Sequence, residues 1–168
     1  LPEKRWTVDL EKRIQEEHYS DSGYDLRYGF KPDSGKEIFV IDTPPPYPSG
    51  TWHIGAVAQY SMIDVIARSQ RLLGKEVFFP WGVDRNGINI EFTVEKKHGK
   101  KMRTYDRGDF IDLCSETIEE FTQAMRDTAA RVGLSCDFSK EYLTDSPEYR
   151  AVTQSIFSKL FKMGEIIE

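Results

Sequence analysis

The chain has 168 residues, a length that fits one domain or one domain with an appendage. Its 23 Lys and Arg against 28 Asp and Glu give a formal charge of −5, and 39% of its residues are hydrophobic. That is too apolar for an intrinsically disordered chain, and the mild acidic excess argues against bulk coating of nucleic acid while leaving room for a local contact. Apolar runs such as Ile38-Phe39-Val40-Ile41 are far below the ~20 residues needed to span a bilayer. The charged start Leu1-Pro2-Glu3-Lys4-Arg5 lacks the apolar stretch of a secretory peptide. A cytoplasmic location with no membrane partner is expected.

In chain order, Trp6 to Tyr19 reads as an amphipathic helix with Trp6, Leu10 and Ile14 at four-residue steps, broken by Asp21-Ser22-Gly23. Lys31 to Lys36 is a turn cluster. Ile38 to Ile41 has the fully apolar character of a buried parallel strand, and it ends at Pro44-Pro45-Pro46, where proline cannot donate to a sheet ladder. A helix follows with Ile54, Val57, Ala58, Ser61, Met62, Val65, Ile66, Ser69, Leu72 and Leu73 on one face, stopped by Gly74. Val77-Phe78-Phe79 is a second short strand, punctuated by Pro80 and Gly82. Strand, loop, helix, strand is a βαβ unit, with the right-handed crossover such units almost always have.

Downstream, Phe110 to Val132 carries a long helical stripe capped by Asp109 and stopped near Gly133. Ser146-Pro147-Glu148 opens another helix, with Tyr149, Val152, Ile156, Phe157, Leu160 and Phe161 as its buried stripe and Gly164 as its stop. Cys114 and Cys136 have no partners at ligand spacing, so a structural metal and a disulfide framework are not expected; they read as a helix thiol and a loop thiol. Residues 1–36 form a helical and turn appendage, and 37–168 a second unit. The opening on Leu1 without Met, and the extended segment after Gly164, are what a piece of a longer protein would show.

The chemistry concentrates in the loop Pro44 to Ala56, which joins the carboxyl end of a strand to a helix start, the place where open α/β sheets bind ligands. Its prolines limit the entropy lost on binding, Gly50 supplies a turn, and Gly55 lets the backbone approach a flat ring or a phosphate. Free N–H groups at the helix start favour an anion, and His53 adds a ring donor. The loop has neither a Walker motif nor a dinucleotide fingerprint.

The segment Pro45-Pro46-Tyr47-Pro48-Ser49-Gly50-Thr51-Trp52-His53-Ile54-Gly55 resembles the His-Ile-Gly-His region of class I aminoacyl-tRNA synthetases, in the branch for valine, isoleucine and leucine. A second block, Phe79 to Glu91, is similar to that branch's Gly-x-Asp-x-His-Gly-x-x-x-Glu segment. Pro44 to Pro46 and Asn89 to Lys97 look most like valyl-tRNA synthetases of archaeal type. Two positions depart from the pattern: Ala56 stands where the first motif ends in His, and Asn86 where the second carries His.

The resemblance implies an α/β fold, the parallel-sheet first half of a Rossmann-like catalytic domain over 37–168 that ends before an editing insertion, with flanking helices. It implies an enzyme, a valine–tRNA ligase as parent, using ATP with Mg²⁺ as substrate, L-valine and tRNA(Val), with no tightly bound cofactor and no protein-held metal. His53 would be catalytic and would bind ATP with Gly55, Ala56, Ser49 and Gly50. Pro45, Pro46, Tyr47, Trp81 and Asp84 would bind the amino acid, with Asp84 on its ammonium group; an Asx-turn before Asn86-Gly87 is the structural alternative for Asp84. Trp52 and Trp81 read equally as core aromatics. One methylene in such a pocket is worth only about 1–3 kcal/mol, the valine enzymes' weak rejection of threonine being the familiar illustration of that ceiling.

Lys96, Lys97, Lys100, Lys101, Arg103 and Arg107 form a basic stretch, either a solvated loop or a contact for tRNA phosphates. No Lys-Met-Ser-Lys-Ser type loop occurs in the sequence, so the chain is expected to be incomplete for catalysis alone. The alternatives are a non-catalytic nucleotide or amino-acid binding module, a segment of an isoleucyl- or leucyl-tRNA synthetase, and an unrelated nucleotidyl transferase.

Overall fold

A computed structural model of the chain describes residues 4–18, 27–48 and 52–167. Its elements are α1 (Val8–His18), β1 (Ile38–Val40), α2 (Ile54–Leu72), β2 (Glu76–Phe78), β3 (Pro80–Val83), α3 (Asn89–His98), a short 3₁₀ turn (Met102–Thr104), α4 (Arg107–Val132), β4 (Asp137–Leu143) and α5 (Pro147–Met163). The fold is α/β with parallel strands. β1 pairs in parallel with β2, Phe39 opposite Val77, which bears out the βαβ unit around α2. β3 pairs in parallel with β4, Gly82 opposite Tyr142.

β2 and β3 are one extended segment joined at Phe79. The Phe78 carbonyl accepts from Ile41 N–H at 2.9 Å, and the next carbonyl, of Phe79, accepts from Asp137 N–H at 2.7 Å. Successive carbonyls of a strand point to opposite edges, so β1 and β4 flank this central segment on its two sides. Pro80 was expected to end the strand; it instead opens β3, a position where its missing N–H is tolerated. Gly82 is a strand residue too, and the reason is close approach. A Cβ there would lie 2.3 Å from the Tyr142 ring. The strand β4 was not anticipated. Its pairing is irregular between Pro80 and Gly82, where Asp137 Oδ1 instead accepts from Ser139 N–H and Oγ.

Val77, Phe79, Trp81 and Val83 alternate along the central segment, each at most 3% exposed, and share a core with Tyr60 and Ala67 of α2 and Met125 and Ala129 of α4. Both helices therefore cover the same face of the sheet. The opposite face is bare at β1, where Ile38 and Val40 are 49% and 57% exposed rather than buried as the sequence suggested. α2 likewise buries Tyr60, Asp64 and Ala67, and turns the expected stripe of Ile54, Met62, Val65, Ile66 and Leu72 outward. On α5 the stripe from Tyr149 to Phe161 is exposed as well. Periodicity identifies an apolar face, but not which layer covers it.

Helix ends follow local chemistry. Asp106, not Asp109, caps α4 by accepting from Gly108 N–H at 2.8 Å, and Gly133 ends it at φ +80°. Ser146 caps α5, with Pro147 in the first turn and Gly164 closing it. α1 starts at Val8, so Trp6 stands outside it, exposed, donating from its indole to Glu11. Tyr19 and Asp21 to Gly23 lie outside the described residues. Cys114 is half-buried on α4, and Cys136 is fully buried ahead of β4.

A polar staple fixes α2 to this frame. Asp64 accepts from Arg68 Nε at 2.7 Å, from Ser135 N–H at 2.8 Å, and from the Ser135 hydroxyl. Arg71 reaches the Ser135 carbonyl at 2.8 Å.

Candidate functional site

Parallel strands put their carboxyl ends on one side, and there the loops after β1, β3 and β4 meet. Tyr60 of α2 donates to the Pro44 carbonyl at 3.0 Å, and burial pushes its own hydroxyl up to about 12. The Asp84 N–H donates to the Pro46 carbonyl at 2.9 Å. This bond joins the proline loop to the turn after β3.

His53 is the N-cap of α2. Its Nδ1 accepts from Gly55 N–H at 3.0 Å, so the ring's hydrogen sits on Nε2, the outward nitrogen of an exposed side chain. A Cβ at Gly55 would lie 3.1 Å from that Nδ1, which gives the glycine a local reason beyond ligand approach. The N–H of Ala56 is turned back onto the His53 carbonyl at 2.9 Å.

Asp84 makes the Asx-turn that was its alternative reading: Oδ1 accepts from Asn86 N–H at 3.1 Å. The same oxygen accepts from the Thr144 hydroxyl at 3.1 Å. Thr144 Oγ1 in turn accepts from Arg85 N–H at 2.9 Å and from Asn86 Nδ2 at 2.8 Å. Arg85 is clamped by Glu119 at 2.7 Å and Asp145 at 3.2 Å. On the proline-loop side is a cavity of about 250 Å³ lined by Asp42, Pro45, Pro46, Trp81, Tyr142 and Tyr149, among others; neither Asp84 nor His53 is among its lining residues. The rings of Tyr142 and Tyr149 are stacked at 6.4 Å. Burial, and then the nearby Asp42, push the Tyr142 hydroxyl up. Among the described residues nothing accepts from the buried Trp81 indole N–H.

Sequence comparison settles what kind of domain carries this crevice. The family model for class I tRNA synthetases of the I, L, M and V group matches residues 17–168. The chain belongs to the class I tRNA synthetases. It is 43% identical over 158 residues to a valine–tRNA ligase from Archaeoglobus fulgidus, covering 94% of this chain and 18% of that protein. It is 41% identical, over its whole length, to the valine–tRNA ligase of Aeropyrum pernix, of which it covers 21%. Among solved structures, the ternary complex of Agrobacterium radiobacter K84 agnB2 LeuRS with tRNA and LeuAMS matches with a TM-score of 0.66 and 25% identity, over 94% of this chain and 18% of that one. The chain thus spans about a fifth of the length of these relatives.

Within this synthetase domain, the two motif blocks named from the sequence converge through the Pro46–Asp84 bond, and Pro45, Pro46 and Trp81 line one cavity. Trp81 and the half-buried Trp52 are also core aromatics, 5.7 Å apart. Tyr47 turns away from that cavity into a second core with Ile90, Val94, Phe110 and Ile118, and Gly87, at φ +139°, lies against its ring. Burial pushes the Tyr47 hydroxyl up. Ser49 and Gly50 lie outside the described residues.

The basic stretch is a loop only in part: Lys96 and Lys97 lie in the last turn of α3, Lys100 and Lys101 in the connection that follows, Arg103 on the 3₁₀ turn, and Arg107 opens α4. Lys96, Lys100 and Lys101 edge a shallow depression, while Lys97 pairs with Glu120 and Lys101 with Glu95, each at 2.9 Å. Lys100 Nζ sits 4.1 Å over the Tyr105 ring, and Arg103 lies on the 3₁₀ turn. Among the described residues no cluster of three or more acidic, His or Cys side chains could hold a metal, and no helix is long and apolar enough to cross a membrane.

Sequence reasoning missed Thr144 and Tyr142. Both sit on or just after the unrecognised β4, and their partners are about 60 residues away in sequence, at Asp84 and Gly82.

Proposed function

We propose that this chain supplies the ATP and L-valine portion of a valine–tRNA ligase site, where valyl-adenylate forms before transfer to tRNA(Val). The observation that carries the reading is the Asp84 N–H to Pro46 carbonyl bond, which joins the proline loop of the first motif to the turn after β3 that carries the Asp84 carboxylate. The valine carboxylate attacks the α-phosphorus in line and pyrophosphate leaves, so the protein's work is positioning and stabilisation of charge. His53 Nε2–H and the positive end of the α2 dipole face the phosphates of ATP, which arrives with Mg²⁺; the N–H groups of Gly55, Ala56 and Val57, expected to be free for an anion, are instead engaged within the cap. Asp84 takes the α-ammonium group, and Pro45, Pro46 and Trp81 wall the side chain. Lys96, Lys100 and Arg103 offer cations to tRNA phosphates; the contributions of Lys97 and Lys101 are reduced by their carboxylate partners. The same reading places the protein in the cytoplasm.

The test is pyrophosphate exchange into ATP with valine, isoleucine and leucine, followed by calorimetry with a non-hydrolysable valyl-adenylate analogue. With no Lys-Met-Ser-Lys-Ser loop in the chain, exchange is expected to be weak or silent, with the analogue still bound. Asp84→Ala should abolish that binding without unfolding the chain. Unchanged affinity in the variant would remove Asp84 from the site.

A further inference from the structure

The turn that carries Asp84 is organised by one hydroxyl. Thr144 is 6% exposed, and its Oγ1 has three polar neighbours: Arg85 N–H at 2.9 Å, Asn86 Nδ2 at 2.8 Å and Asp84 Oδ1 at 3.1 Å. The amide orientation of Asn86 is fixed because Nδ2 also donates to the Thr144 carbonyl at 3.2 Å. Both nitrogens are donors only, so they occupy the two lone pairs of the hydroxyl oxygen. Its single hydrogen then has one acceptor left, Asp84 Oδ1. That oxygen already receives Asn86 N–H, and among the described residues no donor reaches Oδ2.

We propose that Thr144 is a positioning residue which, with Asn86, rotates the Asp84 carboxylate so that Oδ2 is left free for the α-ammonium of the amino-acid substrate. The inference rests on the reading of Asp84 given above. It also gives Asn86 a role where the family pattern carries His: the side-chain amide closes the network by fixing which way the Thr144 hydrogen points. Serine at 144 keeps the hydroxyl; valine keeps the shape and removes it.

The experiment is calorimetry on the 168-residue chain with two probes, valyl-sulfamoyl-adenosine and its des-amino counterpart, isovaleryl-sulfamoyl-adenosine. Thr144→Val is expected to weaken the amine-bearing probe by about tenfold to a hundredfold, the range for losing one hydrogen bond to a charged group, and to leave the des-amino probe unchanged. Thr144→Ser is expected to bind both probes like the unsubstituted chain. Equal weakening of both probes by Thr144→Val means a purely structural role and overturns the proposal, as does no weakening of either.

Should Thr144→Val fail to fold, Asn86→Ala frees the hydroxyl to turn away, and the expected loss is confined to the amine probe in the same way; an equal loss on both probes again overturns it. Asp84→Asn separates the two readings. Full affinity for the amine probe in that variant refutes the ammonium site itself, whatever Thr144 does. An unsubstituted chain that fails to bind the amine probe overturns both.

Discussion

Asp64→Ala removes the acceptor at the centre of the α2 staple. Ser135 is fully buried, and its N–H and its hydroxyl hydrogen both lose their acceptor, while Arg71 still donates to the hydroxyl oxygen. A buried donor left unsatisfied costs about 1–3 kcal/mol. The Arg68 side chain is 41% exposed, so water replaces much of its lost pairing and the further cost is about 1 kcal/mol or less. The expected destabilisation is therefore about 2–4 kcal/mol, since the contributions share one network and do not add freely. For a chain of this size that is a fall of roughly 5–15 °C in melting temperature. Asp64→Asn keeps one acceptor oxygen and should fall in between. The assay is urea unfolding followed by far-UV circular dichroism, with thermal melts as a check. A loss under about 0.5 kcal/mol for Asp64→Ala, the ordinary scatter of surface substitutions, would refute the view that this buried carboxylate holds α2 in place.

Gly55→Ala should be close to neutral in a thermal melt: the gain of about 0.5–1 kcal/mol for alanine in a helix offsets the cap of about 1 kcal/mol lost when the His53 ring is displaced. The displacement itself should appear as a shift of the His53 imidazole resonances, and a loss above about 2 kcal/mol would contradict it. Glu95 accepts from Met102 N–H at 2.7 Å and from Lys101, and those bonds, the backbone one first, hold its carboxyl below the ordinary 4.5. The folded state then binds the Glu95 proton less tightly than the unfolded state, so the stabilisation is complete above that ordinary value and is lost as pH falls from there through the lowered folded-state value. Stability measured from about pH 6 down to pH 3 should decline less steeply in Glu95→Gln, and identical slopes would discount the cap. Burial pushes both thiols up, Cys136 far more than Cys114. A disulfide reagent should therefore titrate Cys114 slowly in the native chain and Cys136 only on unfolding, and a fast native reaction at Cys136 would contradict its packing.

Much of the fold was legible wherever the signal was local. Ser146-Pro147 and Gly164 delimited α5, and the strand–helix–strand rhythm around α2 needed only the apolar runs and the prolines. What failed was tertiary. The stripe on α2 from Ile54 to Leu72 is apolar by period, yet the helix seats itself through Tyr60, Asp64 and Ala67, because buried hydrogen bonds to Ser135 decide the face. β4 escaped notice because Ser139, Lys140 and Glu141 break its alternation. In the site, the segments around His53 and Asp84 were found as motifs, whereas Thr144 belongs to no motif and is defined by partners 58 to 60 residues distant. Tyr47 shows the converse: adjacent in sequence to Pro46, it is carried by the chain direction into a different core.

The bond from Asp84 N–H to the Pro46 carbonyl has a mechanical corollary. Neither end can drift without breaking main-chain hydrogen bonding, and each end is already anchored, the proline loop by Tyr60 and the aspartate turn by Thr144. Two such corners rivetted together behave as a single jaw and not as a pair of fingers. On the function proposed above, the amino-acid end of the site would then be presented preformed, with no local refolding step when its ligand arrives.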